Sequence, residues 1–431
     1  MSKSDKQYKQ YKQWMGLPLN LIWGYIAIAI FMTGDGFELA FLSHYLTSLG
    51  FTPSQASLAF TLYGLAAAIA AWVSGVVAEI ITPQKTMFIG FAMWTIFHTL
   101  FLVFGLGRAN YSLILLFYGL RGFAYPLFLY SFIVIIIQNV PTEKSSSALG
   151  WYWAVYSMGI GVAGSYIPSV TIPRMGELVT LWLALAFSIV GGLIALFCLR
   201  GVKVPSHKLD LTIKEKINEL SRAVTLLYTN KNILLSSFVR IVNTLSLFGF
   251  AVIMPIMFVD KLGFTTSEWL QIWAVFFFMT IVFNIFWGIV AEKIGWMRVI
   301  RWFGCLGMAT SSIAFYYIPL YSGHNFVMAL IPAIALGVFV CAFVPMAAVF
   351  PALEPNHTGA AISVYNLSAG LSNFLAPAIA VVLLPYFSTI GVVIAYTALY
   401  LLAFVCCRYI HVEQPGFKSN AYGVHPPANI P

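Results

Sequence analysis

The chain has 431 residues, 60% of them hydrophobic and only 9% charged, with a formal net charge of +9. A water-soluble domain carries roughly 25% charged residues, so a soluble enzyme or binding module is excluded. The five cysteines imply no disulfide framework, because none falls in an outer loop of the topology below.

Apolar runs of about 20 residues, each long enough to cross a bilayer as a helix, place twelve spans along the chain. They cover residues 18–46, 55–80, 87–107, 111–138, 146–169, 178–199, 232–259, 268–291, 299–320, 325–350, 359–384 and 387–409. The chain reads as an all-α polytopic membrane protein. The polar first sixteen residues and a long first span without a cleavage site predict no cleavable signal. The organisation is a cytoplasmic segment 1–17, a six-helix bundle 18–199, a cytoplasmic linker 200–231, a second bundle 232–409 and a polar cytoplasmic tail 410–431. The linker carries a short amphipathic stretch near 211–227.

With the N-terminus inside, only Arg108, Arg174 and Lys261 of the 23 lysines and arginines fall on the outer side. Arg121 and Arg240 lie within spans, and the remainder face inward. That asymmetry sets both termini in the cytoplasm and accounts for the positive charge without a nucleic-acid partner.

Between the first and second spans the chain reads "LGFTPSQ" (49–55), and 213 positions later "LGFTTSE" (262–268). "GVVAEIITPQK" (75–85) returns in the same register as "GIVAEKIGWMR" (288–298). Two matches in one register indicate a duplication into two parallel six-helix repeats. Thr52 with Gln55, and Thr265 with Glu268, predict capping boxes that start the second and eighth spans, the first with Pro53 at the leading helical position.

The second phrase resembles the loop signature of the major facilitator superfamily. Gly288, Ala291, Glu292, Lys293, Gly295 and Arg298 satisfy it, while the first copy keeps Gly75, Ala78, Glu79 and Lys85 but lacks the later glycine and the basic residue after the acid. The resemblance implies the major facilitator fold with 12 transmembrane helices, and a cytoplasmic gate built from these loops.

Only Asp35 and Glu38 place carboxylates well inside a span, both in the first, at a spacing that sets them on one helix face. A charge there costs several kcal/mol unless paired, neutral or hydrated, and marks a functional candidate. Arg121, midway along the fourth span, is the expected partner. One cation facing two acids leaves one carboxyl to carry a proton. The superfamily resemblance implies the same, since an aspartate in the first span and an arginine in the fourth serve its proton-linked sugar porters. Phe248 and Ala251 stand at the corresponding second-half positions, so coupling is expected in one half.

In that superfamily spans 1, 4, 7 and 10, with 5, 8 and 11, line the substrate cavity. The candidate substrate-binding residues on them are Arg240, Asn243, Gln271, Asn366, Asn373, Tyr152, Trp153 and Tyr156, with Thr244 and Asn284 nearby. Amides and hydroxyls match alcohol groups and aromatic faces pack on C–H surfaces, so a neutral polyhydroxylated molecule fits best. Interhelical hydrogen bonding is the alternative role of each.

Four stretches are similar to the bacterial polyol permeases for ribitol and D-arabinitol: "GLPLNLIWGYIAIAIFMTGDGFELAFLSHY", "LLFYGLRGFAYPLFLYSFIV", "IVNTLSLFGFAVIMP" and "GAAISVYNLSAGLSNFLAPAIAVVLLP". The likeness implies uptake of a pentitol by proton symport through a bacterial inner membrane, by a monomer that uses no cofactor beyond the proton. A sugar-acid or carboxylate symporter, with Arg121 and Arg240 clamping the anion, is the rival. An uncoupled facilitator or sensor on the same fold is another. A membrane enzyme or haem protein is disfavoured, because His44 and His98 lack metal-spaced partners in the sequence.

Overall fold

The computed structural model describes residues 13–14, 17–140, 142–202, 213–355 and 358–414, with the side chains at 75, 76, 79, 142–147, 213–217, 219, 220, 358 and 359 left undescribed. Apart from a small antiparallel pair, β1 (Gln13–Trp14) with β2 (Leu17–Pro18), the described elements are helices.

The first long helices are α1 (Ile22–Gly36), α2 (Leu42–Ser48), α3 (Pro53–Ile81) and α4 (Pro83–Leu100). Next come α5 (Tyr111–Arg121), α6 (Ala124–Asn139), α7 (Thr142–Ser157), α8 (Gly164–Met175) and α9 (Glu177–Cys198). The linker contributes α10 (Ile213–Thr229). The second half runs through α11 (Lys231–Asn243), α12 (Leu245–Ile256), α13 (Thr266–Ile294), α14 (Trp296–Val299), α15 (Gly307–Ser322), α16 (Phe326–Val340), α17 (Met346–Leu353) and α18 (Thr358–Cys406).

Both capping boxes form. The Thr52 hydroxyl accepts from Gln55 N at 3.2 Å and Gln55 Oε1 accepts from Thr52 N at 2.9 Å. Thr265 and Glu268 do the same at 3.1 and 2.8 Å. Each box satisfies N–H groups that the helix start leaves free.

Among the described residues, ten segments are long and apolar enough to cross a membrane, where twelve were expected. The expected fifth span is divided into α7, a π-helical turn at Met158–Ala163 and α8, with Pro168 and Pro173 inside the last. The expected eleventh and twelfth run together as α18, whose helical geometry breaks at Ser388 (φ 51°, ψ −164°).

A second departure bears on function. Spans one, four, seven and ten read as continuous helices, yet each is interrupted: at 37–41, at 122–123, at Thr244 and at 341–345. Gly36 and Gly122 stand at two of the gaps. Each presses on a backbone carbonyl, of Ile160 and Tyr63 respectively, where a Cβ would collide, and glycine costs helix stability. Pro345 interrupts the fourth site by lacking an N–H.

The two halves of the chain meet at the capping-box ends of α3 and α13. The Ser54 hydroxyl donates to the Val381 carbonyl at 2.9 Å, and Ser267, 213 positions on, donates to the Ser169 carbonyl at 2.6 Å. Trp269 Nε1 donates to the Ala40 carbonyl at 2.6 Å, and His44 Nδ1 lies 3.2 Å from Asp260 Oδ1. Deeper in, Gly64 meets the Asn373 carbonyl and Gly370 meets Ala68, so α3 and α18 lie close over this length.

Candidate functional site

The interruptions of spans one and four bring the buried charges together. Asp35 sits one residue before the end of α1, Glu38 in the turn that follows, and Arg121 at the last position of α5. Their relative exposures are 5%, 3% and 0%. Arg121 Nη1 donates to Glu38 Oε2 at 2.8 Å while Nη2 contacts Oε1, a two-pronged ion pair. Three rings surround the guanidinium: Tyr118 at 4.8 Å, Trp94 at 5.0 Å and Tyr63 at 5.3 Å. Such cation–π contacts favour the desolvated cation.

The expected grouping of one cation with two acids is present, and the two acids are treated unequally. Arg121 is committed to Glu38, and Asp35 takes a neutral donor instead. Trp94 Nε1 donates to Asp35 Oδ1 at 2.7 Å, and the Tyr63 hydroxyl faces the same carboxyl.

His98, which has no metal-spaced partner in the sequence, is part of this cluster. Its Nδ1 lies 2.5 Å from Arg121 Nη1 and 3.9 Å from Glu38 Oε2, and its Nε2 lies 3.1 Å from the Leu181 carbonyl on α9. The imidazole stacks on Trp94 at 4.4 Å. Trp94 and His98 stand four apart on α4, the spacing of one helix face. That spacing is visible in the sequence; the face it points to is set by packing.

Around Asp35 the first half presents a cluster of tyrosines. Tyr125 and Tyr156 lie within electrostatic range of its carboxyl, and the Tyr63 ring stacks on Tyr118 at 4.8 Å and on Tyr125 at 6.0 Å. Of the residues proposed on the fifth span, Tyr156 belongs to this cluster. Trp153 packs edge-on to Tyr156 at 5.5 Å and is 42% exposed. Tyr152 is buried and its hydroxyl donates to the Leu129 carbonyl at 3.3 Å, so that group is spent on the backbone. Tyr63, Tyr125 and Tyr130 were not singled out in the sequence, where they are three of 22 tyrosines with nothing to distinguish them.

From the second half, the Asn373 amide faces the Tyr125 hydroxyl. Arg240 approaches Tyr130, and its guanidinium lies over the Tyr365 ring at 4.8 Å. Its Nε and Nη1 are buried without a hydrogen-bond partner among the described residues, as is Oδ1 of Asn243. Thr244, in the gap between α11 and α12, donates to Ser372 Oγ at 2.8 Å. Asn366 is half-buried on α18. Gln271 is half-buried near the start of α13, closer to the capping box than to the tyrosines' level.

The loop motif lies apart from this cluster. Lys85 is exposed in the first turn of α4; Glu292 and Lys293 are exposed at the end of α13, and Arg298 is exposed on α14. Gly288 lies on α13 with open space around it, and Gly295 links α13 to α14 at φ 98°. The side chains at Gly75 and Glu79 lie outside the described residues.

Buried charges of both signs, facing tyrosines and amides between interrupted spans, match the arrangement of transporters with discontinuous helices at a mid-depth site. The Major Facilitator Superfamily pattern matches residues 24–323 and 236–424. The chain belongs to the Major Facilitator Superfamily. Within that superfamily it is 77% identical over 411 residues to the ribitol transporter of Klebsiella pneumoniae, covering 95% of this chain and 96% of the relative. It is 76% identical over 407 residues to the D-arabinitol transporter of the same organism, covering 94% and 96%. Among solved structures, the nucleoside transporter NupG aligns with a TM-score of 0.73 at 13% identity, over 91% of this chain and 99% of that one. The last likeness establishes the shared fold.

Proposed function

We propose that this superfamily member imports a pentitol, ribitol or D-arabinitol, by proton symport with alternating access. In this reading twelve spans form two parallel six-helix lobes, 18–199 and 232–409, joined by the linker 200–231, with both termini in the cytoplasm of a bacterium and the protein in its inner membrane. The identity of the relatives supports the substrate class.

The observation that carries the coupling is the unequal treatment of the two acids. Protonating Glu38 would strand Arg121 as a buried charge without its counterion, which costs about 3–5 kcal/mol. Protonating Asp35 strands nothing, because Trp94 and Tyr63 are neutral donors. Asp35 is therefore the acid that loads and releases the proton. In this reading the capping-box end is the outer side, and its contacts hold that side shut. Asn243, Asn366, Asn373, Tyr156, Trp153 and Arg240 supply the polyol site, with Tyr152 and Gln271 behind it. Glu79 and Lys85, with Glu292, Lys293 and Arg298, close the cytoplasmic side in the opposite state.

The experiment is uptake of labelled ribitol into proteoliposomes with and without an imposed pH gradient. Asp35→Asn should abolish gradient-driven accumulation and spare counterflow exchange. An Asp35→Asn protein that still concentrates polyol removes Asp35 as the coupling site.

A second reading rests on Arg240, whose buried N–H groups lack partners among the described residues. A sugar acid would satisfy them. Competition of ribitol binding by a pentonate separates the two readings.

A further inference from the structure

His98 is completely enclosed, and its two ring nitrogens meet groups of opposite kind. The Leu181 carbonyl, 3.1 Å from Nε2, can only accept, so Nε2 carries the hydrogen. Arg121 Nη1, 2.5 Å from Nδ1, can only donate, so Nδ1 presents a lone pair. Both neighbours specify one neutral tautomer. A second proton on the ring would set N–H against N–H and drive the guanidinium away.

The groups around the ring come from several elements. Glu38 approaches from the turn at 37–41, at 3.9 Å. Asp35 on α1 is linked through Trp94, on which the imidazole stacks. Arg121 and Tyr118 come from α5, and Tyr63 from α3 lies against both of them. From α9 the contact is the Leu181 carbonyl.

Arg121 Nη1 is thus divided between Glu38 Oε2 and His98 Nδ1, while Nη2 contacts the other Glu38 oxygen. Asp35 lies within electrostatic range of the same guanidinium without being paired to it. The pair with Glu38 directs the cation away from the second acid, and the imidazole anchored to α9 braces the same Nη1.

We propose that His98 is a positioning residue: a fixed neutral acceptor that keeps Arg121 on Glu38 and off Asp35, so that Asp35 remains available to a proton. This rests on Asp35 as the proton carrier. Without the acceptor, Arg121 swings toward Asp35 and holds it ionised.

Three variants test it in proteoliposomes, each read by pH-gradient-driven ribitol uptake across a range of external pH and by counterflow. His98→Leu removes the acceptor. His98→Asn places an amide oxygen near the Nδ1 position, and His98→Gln places it near Nε2, facing a carbonyl. We expect His98→Leu and His98→Gln to lose about tenfold or more of driven uptake, the scale of one charge-assisted hydrogen bond, with uptake displaced toward lower external pH and counterflow within a few-fold of wild type. His98→Asn should recover most of the loss and the original pH profile.

Equal loss of uptake and counterflow in all three variants would overturn the proposal in favour of simple packing, as would a wild-type pH profile in His98→Leu. Retained coupling in His98→Leu with lost coupling in Asp35→Asn would sink the positioning role and leave the proton carrier standing. Should the variants not fold, imidazole ¹⁵N spectra of the wild-type protein decide. A buried histidine locked as the Nε2–H tautomer from pH 5 to 8 supports the proposal, and an Nδ1–H or titrating ring at this site refutes it.

Discussion

Thr82 and Gly295, 213 residues apart, hold the same backbone conformation: φ 105° and ψ 144° at the first, φ 98° and ψ 138° at the second. The two loops share this geometry although only the second has a glycine at the position. A β-branched residue is a genuine outlier at such a φ, and the strain of such positions is about 1–3 kcal/mol. Thr82 Oγ1 offsets part of it by accepting from Lys85 N at 3.4 Å, a long contact. Thr82→Gly should therefore stabilise the protein by about 1 kcal/mol, seen as a raised Tm in detergent. A lowered Tm would mean that the cap outweighs the strain.

The Arg121–Glu38 pair yields a sharper stability test. Glu38→Gln leaves the guanidinium buried without its counterion and should cost about 3–5 kcal/mol. Joining it to Arg121→Met removes the charge as well and should recover part of that loss. A double-mutant cycle on thermal unfolding reads the coupling. A cycle with no interaction energy would show that the pair is solvated.

Closure at the capping-box end predicts a directional block. With the native cysteines replaced, Ser54→Cys joined to Val381→Cys should be bridged by a short bifunctional thiol reagent, and ribitol uptake should then fall to background. The pair Ser267→Cys and Ser169→Cys should behave alike, since both serines make the same kind of contact. Full uptake after complete cross-linking would mean that these ends need not part.

Two substitutions separate ligand contacts from packing. Asn366→Ala should weaken polyol affinity by about 1–2 kcal/mol, the scale of a lost buried hydrogen bond. Tyr152→Phe should leave affinity unchanged and lower stability by about 1 kcal/mol, because the hydroxyl is committed to the Leu129 carbonyl. Unaltered affinity in Asn366→Ala would remove that part of α18 from the site.

The sequence made some features plain because their cause is local. A capping box needs only four consecutive residues, and both boxes form where Thr52 and Thr265 predict them. Asp35, Glu38 and Arg121 stand out because ionised groups are rare in apolar spans, and the three do gather. What stayed hidden depends on packing between distant segments. The preference of Arg121 for Glu38 is set by His98 and by the rings of Tyr63, Trp94 and Tyr118, which come from three helices. At the gap after Arg121, Gly122 lies against the Tyr63 carbonyl. Glycines are common in membrane helices, so the residue alone does not announce a break. Nothing in the sequence around Trp94 shows that its indole N–H reaches Asp35.

The gaps in spans one, four, seven and ten also have a mechanical consequence. An unbroken helix transmits tilt along its full length, whereas one divided near its midpoint acts as two short levers about a pivot. Cargo leaving toward one face then requires only the levers on that face to swing. The outer part of span one meets the end of span seven where His44 Nδ1 lies 3.2 Å from Asp260 Oδ1, and the pivots of spans one and four lie beside Asp35 and Arg121.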